Sequence, residues 1–138
     1  MKDFVIDASV AFKWFVWEED TDDALILLDQ LEFFYVPNIF LLEIDSILTK
    51  KVRKRELEIG EAMSKRELYR KLPYRSIGYD EIEDFAFRLA TEFSITLFDA
   101  LYLATTVDYE AILYTADKKL FNGLANTPFS EYVKPIGE

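Results

Sequence analysis

Short apolar runs alternate with stretches of helical periodicity along this chain, and that alternation limits the architectures open to it. "DFVI" at 3–6, "YVP" at 35–37, "YRSIG" at 74–78, "AILYT" at 111–115 and "EYVKPI" at 131–136 read as strands. "SITL" at 94–97 reads as a further short extended piece. Between them lie helical patterns. Ser9 is placed to cap a helix through "VAFKWFVWEE", and "DTDDALILLDQLEFF" carries acids in its first turn, as the helix dipole favours. Pro37 suits the start of a long helix through "NIFLLEIDSILTKKVRKRE", and Pro73 ends the helix of "EAMSKRELYRKL". "DEIEDFAFRLATEF", "DALYLATTVDY" and "DKKLFNGLA" complete the set. Strands that alternate with helices argue for an α/β protein whose mainly parallel sheet is covered on both faces.

The chain has 138 residues, 51% of them hydrophobic, enough for one domain (1–138) with a real core. No Ser/Gly-rich linker, internal repeat or low-complexity tract divides it. No run of about 18 apolar residues is present, so no membrane span is expected. The start "MKDFVIDASV" lacks a signal-peptide layout and reads as the first strand, so a cytoplasmic location is expected. Two absences narrow the chemistry. Without cysteine there are no thiol nucleophiles or thiolate zinc sites. Without histidine there are no imidazole-based triads. Hydrolytic chemistry here must rest on carboxylates, lysines, tyrosines or hydroxyls, or on a metal they hold.

The carboxylates have a pattern. Asp7 closes the first strand, Asp117 follows "AILYT" within two residues, and Asp99 stands just after "SITL" where a helix begins. In parallel α/β sheets, ligands bind outside the carboxyl ends of the strands. Three acids from distant segments are thus expected on one edge of one sheet. Each also suits a helix N-cap, the bland reading. Caps have no reason to converge, whereas converging acids repel one another unless a cation joins them. Asp clusters without His or Cys are hard-cation chemistry, suited to Mg²⁺ or Mn²⁺. A fourth acid lies in "PNIFLLEIDSIL". At about 100° per residue, Glu43 and Asp45 flank opposite borders of the apolar arc, and periodicity does not choose between them.

With these residues in view, the sequence resembles the PIN-domain nucleases, and most of all the VapC toxin group. "FVIDASV" is similar to the first family motif, with Asp7 as metal carboxylate and Ser9 as companion hydroxyl. "VPNIFLLEIDSIL" is similar to the second, which makes Glu43 the functional acid and Asp45 a bystander. "TLFDALYLA" is similar to the third, with Asp99, and "LYTADKKL" to the fourth, with Thr115 and Asp117. The resemblance implies a three-layer α/β/α sandwich and divalent-metal-dependent cleavage of RNA. In that reading Asp7, Asp99 and Asp117 hold Mg²⁺ or Mn²⁺, Glu43 is a fourth catalytic acid, and Ser9 and Thr115 support them. It also implies an antitoxin partner. Other readings are a non-toxin PIN nuclease in RNA processing and a receiver-like regulatory module. The receiver lacks support: strand one ends in a lone Asp7, and the only Lys-Pro pair lies in the last strand.

A net charge of -10 seems to oppose an RNA substrate, but its distribution is uneven. Residues 50–75 hold ten basic and four acidic residues. Lys50, Lys51, Arg53, Lys54, Arg66 and Arg70 are the candidates for RNA contact; the bland reading is a solvated helical hairpin. Seven aromatics fall within residues 12–35, more than a small helix needs for its own packing. At least one tryptophan is expected at an interface, either of a homodimer or with an antitoxin helix.

Overall fold

The structure is a computed structural model and describes residues 2–137. Five strands form one parallel sheet: β1 (Phe4–Ile6), β2 (Phe34–Pro37), β3 (Tyr74–Ile77), β4 (Ile112–Thr115) and β5 (Val133–Pro135), in the order β3-β2-β1-β4-β5. Val5 sits opposite both Tyr35 and Leu113, so β1 is the central strand. Its neighbours are reached in opposite directions, through β2 on one side and β4 on the other. The carboxyl ends of β1 and β4 therefore flank the point where strand order reverses, the position at which a parallel α/β sheet opens a crevice.

Strand alternation builds two cores. Ile6, Phe34 and Val36 point to one face, while Val5, Tyr35 and Leu113 point to the other. Helices α1 (Ala8–Ala11), α2 (Thr21–Asp29), α3 (Phe40–Arg53) and α4 (Ile59–Arg70) cover the first face. Helices α5 (Tyr79–Glu92), α6 (Leu97–Asp108) and α7 (Lys118–Leu124) cover the second. The result is the three-layer α/β/α sandwich. Helix α6 is the most deeply set, with every residue from Ala100 to Thr106 buried. Its threonines are tolerated there because Thr105 and Thr106 donate to the carbonyls of Leu101 and Tyr102, at 2.8 and 2.7 Å.

Three local expectations are revised. "SITL" is not a strand. Ser94 and Ile95 form a bend between α5 and α6, and Thr96 caps α6 by accepting from the Asp99 N–H at 3.0 Å. That bend is pressed against α7: a Cβ on Gly123 would meet the Ser94 carbonyl oxygen at 2.7 Å. The first helix is short. After Ala11 it tightens into a 3₁₀ turn, Phe12–Trp14, which buries Trp14 and leaves Trp17 73% exposed. Trp14 is thus core, its indole donating to the Ala24 carbonyl at 2.7 Å. Pro37 ends β2 instead of opening α3; the next N–H, that of Asn38, bonds Ile77 O in the neighbouring strand.

Candidate functional site

Each acid reaches the carboxyl edge of the sheet by a different route. Asp7 follows β1 directly and holds the N-cap position of α1, yet its side chain does not cap. Instead Oδ2 accepts from Thr115 Oγ1 at 2.7 Å and from Ser9 Oγ at 3.0 Å. Both donors are tied down in turn. Ser9 Oγ accepts from the Ala116 N–H at 3.2 Å, and Thr115 Oγ1 from the Asp117 N–H at 2.9 Å. Residues more than a hundred positions apart are locked into one network, which orients the Asp7 carboxylate.

Asp117 is a true N-cap: Oδ1 accepts from the Lys119 N–H at 2.8 Å and more weakly from that of Leu120. Asp99 lies in the first turn of α6, where Thr96 supplies the cap and leaves the Asp99 carboxylate free of that duty. Glu43 lies in the first turn of α3, just past the carboxyl end of β2.

These four acids line one cavity of about 220 Å³, together with Ala8, Ser9, Ser46, Ile47 and Lys50. Their electrostatics record the convergence. Burial pushes Asp7 above the usual aspartate range, against the pull of its Thr115 and Ser9 hydrogen bonds, and Asp117 adds to the rise. Burial raises Glu43 to about 7, with Asp7 and Asp99 contributing repulsion. Asp99 is raised to about 6 by burial, then by Asp7 and Asp117. Anions held together this way are destabilised as anions, which is the condition a cation relieves.

The fit to a divalent cation rests on the donor chemistry. Every acidic and hydroxyl donor lining the cavity is a hard oxygen, and Glu43 Oε1 is buried with no hydrogen-bond partner. Among the described residues no three acids stand in coordinating geometry about one point. A small hard ion such as Mg²⁺ keeps several waters and uses only one or two carboxylates directly, so this spacing is compatible with it.

The basic candidates divide. Lys50 is on the cavity wall, two turns along α3 from Glu43. Arg53 and Lys54 are exposed at the end of the same helix. Lys51 is paired with Glu18 and Glu56, at 3.2 Å each. Arg66 and Arg70 grip Asp45, with shortest contacts of 2.9 and 2.8 Å. Two residues near the site escaped the sequence reading. Ser46 shares the face of α3 with Glu43 at a spacing of three, and Tyr102 shares that of α6 with Asp99. The helical repeat holds that signal, but only once a neighbouring acid is known to face inward.

A parallel sheet with a carboxylate cavity at its switch point defines the class: an α/β protein whose ligand site lies at the carboxyl ends of its strands. The sequence itself decides the family: the model of the PIN domain matches residues 4–126, and the chain belongs to the PIN-domain family. Solved structures agree in fold. A toxin–antitoxin complex from Klebsiella pneumoniae aligns with a TM-score of 0.66 at 17% identity, covering 96% of this chain and 95% of that one. VapBC2 from Rickettsia felis, bound to a DNA fragment from its promoter, aligns with a TM-score of 0.67 at 16% identity, covering 96% and 97%. A Pyrobaculum aerophilum protein aligns with a TM-score of 0.64 at 16% identity, covering 91% and 82%. No curated protein sequence matches. Among the described residues, no helix is long and apolar enough to cross a membrane.

Proposed function

We propose that this chain is a divalent-metal-dependent endoribonuclease, the toxin member of a VapBC-type toxin–antitoxin pair. One observation carries the reading: Asp7, Glu43, Asp99 and Asp117, from four separate segments, line one cavity at the switch point of the sheet. In this reading Asp7 and Asp99 would hold Mg²⁺ or Mn²⁺ directly, and Asp117 directly or through water. When bound, the ion acts as a Lewis acid on a phosphate oxygen and lowers the pKa of a bound water.

The protein's own groups have distinct tasks. Ser9 and Thr115 donate to Asp7 Oδ2, which favours the ionised form against burial and holds the carboxylate in one rotamer. Glu43, raised to about 7, is matched to accept a proton from the attacking water near neutral pH. Lys50 on the cavity wall offsets the charge of the scissile phosphate. Arg53 and Lys54 extend that positive track along the strand. Lys51, Arg66 and Arg70 already have carboxylate partners, so their first contribution is to hold α3 and α4 in place.

Two partners belong to the proposal. A cognate antitoxin is supported by the toxin–antitoxin complexes among the similar folds. A homodimer is supported by large apolar side chains left in solvent, among them Trp17, Leu42, Phe87 and Phe98. The test is cleavage of a mixed RNA pool with Mg²⁺ or Mn²⁺, and with EDTA, beside Asp7→Asn and Asp99→Asn. Cleavage is expected only in the wild type with metal. Activity that survives chelation, or both substitutions, refutes the proposal.

A further inference from the structure

Helix α6 sends two side chains toward the same region, Asp99 and, three residues on, Tyr102. Asp99 lines the cavity, while Tyr102 is 1% exposed and lies within the core. Tyr102 Oη is buried without a hydrogen-bond partner, and Glu43 Oε1, reaching in from α3, is buried in the same condition. No other buried side-chain polar atom among the described residues is left so. One is a donor and the other an acceptor. They are near enough to influence each other, though not in bonding geometry. The backbone of Ala8, the first residue of α1, adjoins the same phenol. Buried polar groups are rarely left unpaired, and partners behind a metal-facing carboxylate set its orientation.

We propose that Tyr102 is a positioning residue for Glu43: its hydroxyl donates to Oε1, pins that oxygen against α6 and leaves Oε2 as the one offered to the cavity. The inference rests on the metal-dependent reading above and adds a residue to it. It makes Glu43 dependent on a side chain that never touches RNA.

The test uses the full chain, with Mn²⁺ alone titrated by calorimetry and RNA cleavage measured separately. Tyr102→Phe keeps the ring and removes only the hydroxyl. Because Glu43 shares the cavity in which the ion and its waters would sit, Mn²⁺ binding is expected to weaken about tenfold, with kcat for RNA falling and KM unchanged. In a Glu43→Ala background the same substitution is expected to cause no further loss, because the atom it positions is gone. The proposed bond to Oε1 forms with the ion in place, so Tyr102→Phe is expected to melt no lower than the metal-free wild type, where the hydroxyl is unpartnered. Unchanged Mn²⁺ affinity in Tyr102→Phe, or losses that simply multiply in the double variant, overturn the proposal and leave the nuclease reading standing. A Tyr102→Phe protein that no longer folds makes the hydroxyl structural and overturns it too. A wild type that binds no Mn²⁺ removes both.

Discussion

Glu43 and Asp45 stand two residues apart on one helix, and the structure gives them opposite fates. Glu43 turns toward Asp7 and Asp99, and burial beside like charges lifts it to about 7. Asp45 turns toward α4, where Arg66 first, and then Arg70, hold it below the usual aspartate range. A step of about 200° around the helix separates a group poised to take up a proton from one fixed as an anion. Charge type explains neither. What differs is the neighbouring element: carboxylate ends of a sheet on one side, a basic helix on the other.

The contrast breaks most visibly at the level of activity. Asp7→Asn and Asp99→Asn are expected to lower RNA cleavage by about a hundredfold or more, and Glu43→Gln to follow them, whereas Asp45→Asn retains cleavage per folded molecule. An assay normalised to folded protein checks this. If Asp45→Asn is as damaging as Glu43→Gln, the division between a chemical and a structural acid is wrong.

A smaller effect concerns stability in EDTA. Between its ordinary value of 4.5 and about 7, folded Glu43 keeps a proton that the unfolded chain releases. Its contribution is therefore full below about 4.5 and is lost as pH rises through about 7, by up to about 3 kcal/mol. Asp45 has the reverse sign: its contribution is present above the ordinary value of 3.8 and disappears as pH falls through its lowered value. Denaturant melts from pH 4.5 to 8 are expected to show falling stability, flattened in Glu43→Gln and unchanged in slope in Asp45→Asn. Stability that rises over this range in the metal-free wild type contradicts the arrangement.

Next in size is the loss of the ion-pair cluster. Asp45 and its arginines are each about a third exposed, so solvent screens the pairing. Asp45→Ala is expected to cost about 1 kcal/mol, a fall of about 4 °C in Tm. The smallest effect separates the basic residues. Lys50→Ala is expected to reduce the salt dependence of RNA binding by about 0.7 in log–log slope. Arg70→Ala, whose charge is already matched, is expected to leave the slope alone. Equal slopes in the two variants would show that the Asp45 cluster opens to RNA.

Much of this was legible in the linear chain because the signals are local. Apolar runs of three to five residues, ended by a turn or a helix-capping acid, mark parallel strands wherever they lie. Asp7 and Asp117 could be placed on the sheet edge for that reason. "SITL" misled because its composition suits a strand, while Gly123 of α7 occupies the space against its backbone. That contact joins segments about thirty residues apart and leaves no mark in either. The first helix reads too long because "VAFKWFVW" is apolar except for Lys13, and nothing local announces the 3₁₀ turn that hides Trp14 and exposes Trp17. The basic stripe was visible as composition, but its division between the Lys50 wall and the Asp45 cluster was not.

By itself the sequence determined an α/β body, an absence of imidazole and thiol chemistry, and the residue types able to replace them. Those are matters of composition and of periodicity over a few turns. Only the tertiary structure decided that β1 lies between β2 and β4, so that acids from four segments share one cavity; periodicity left Glu43 and Asp45 open, the family motif favoured Glu43, and the fold turns Glu43 to the cavity. Repulsion among carboxylates falls steeply with distance and depends on burial. Neither quantity exists until the chain has folded.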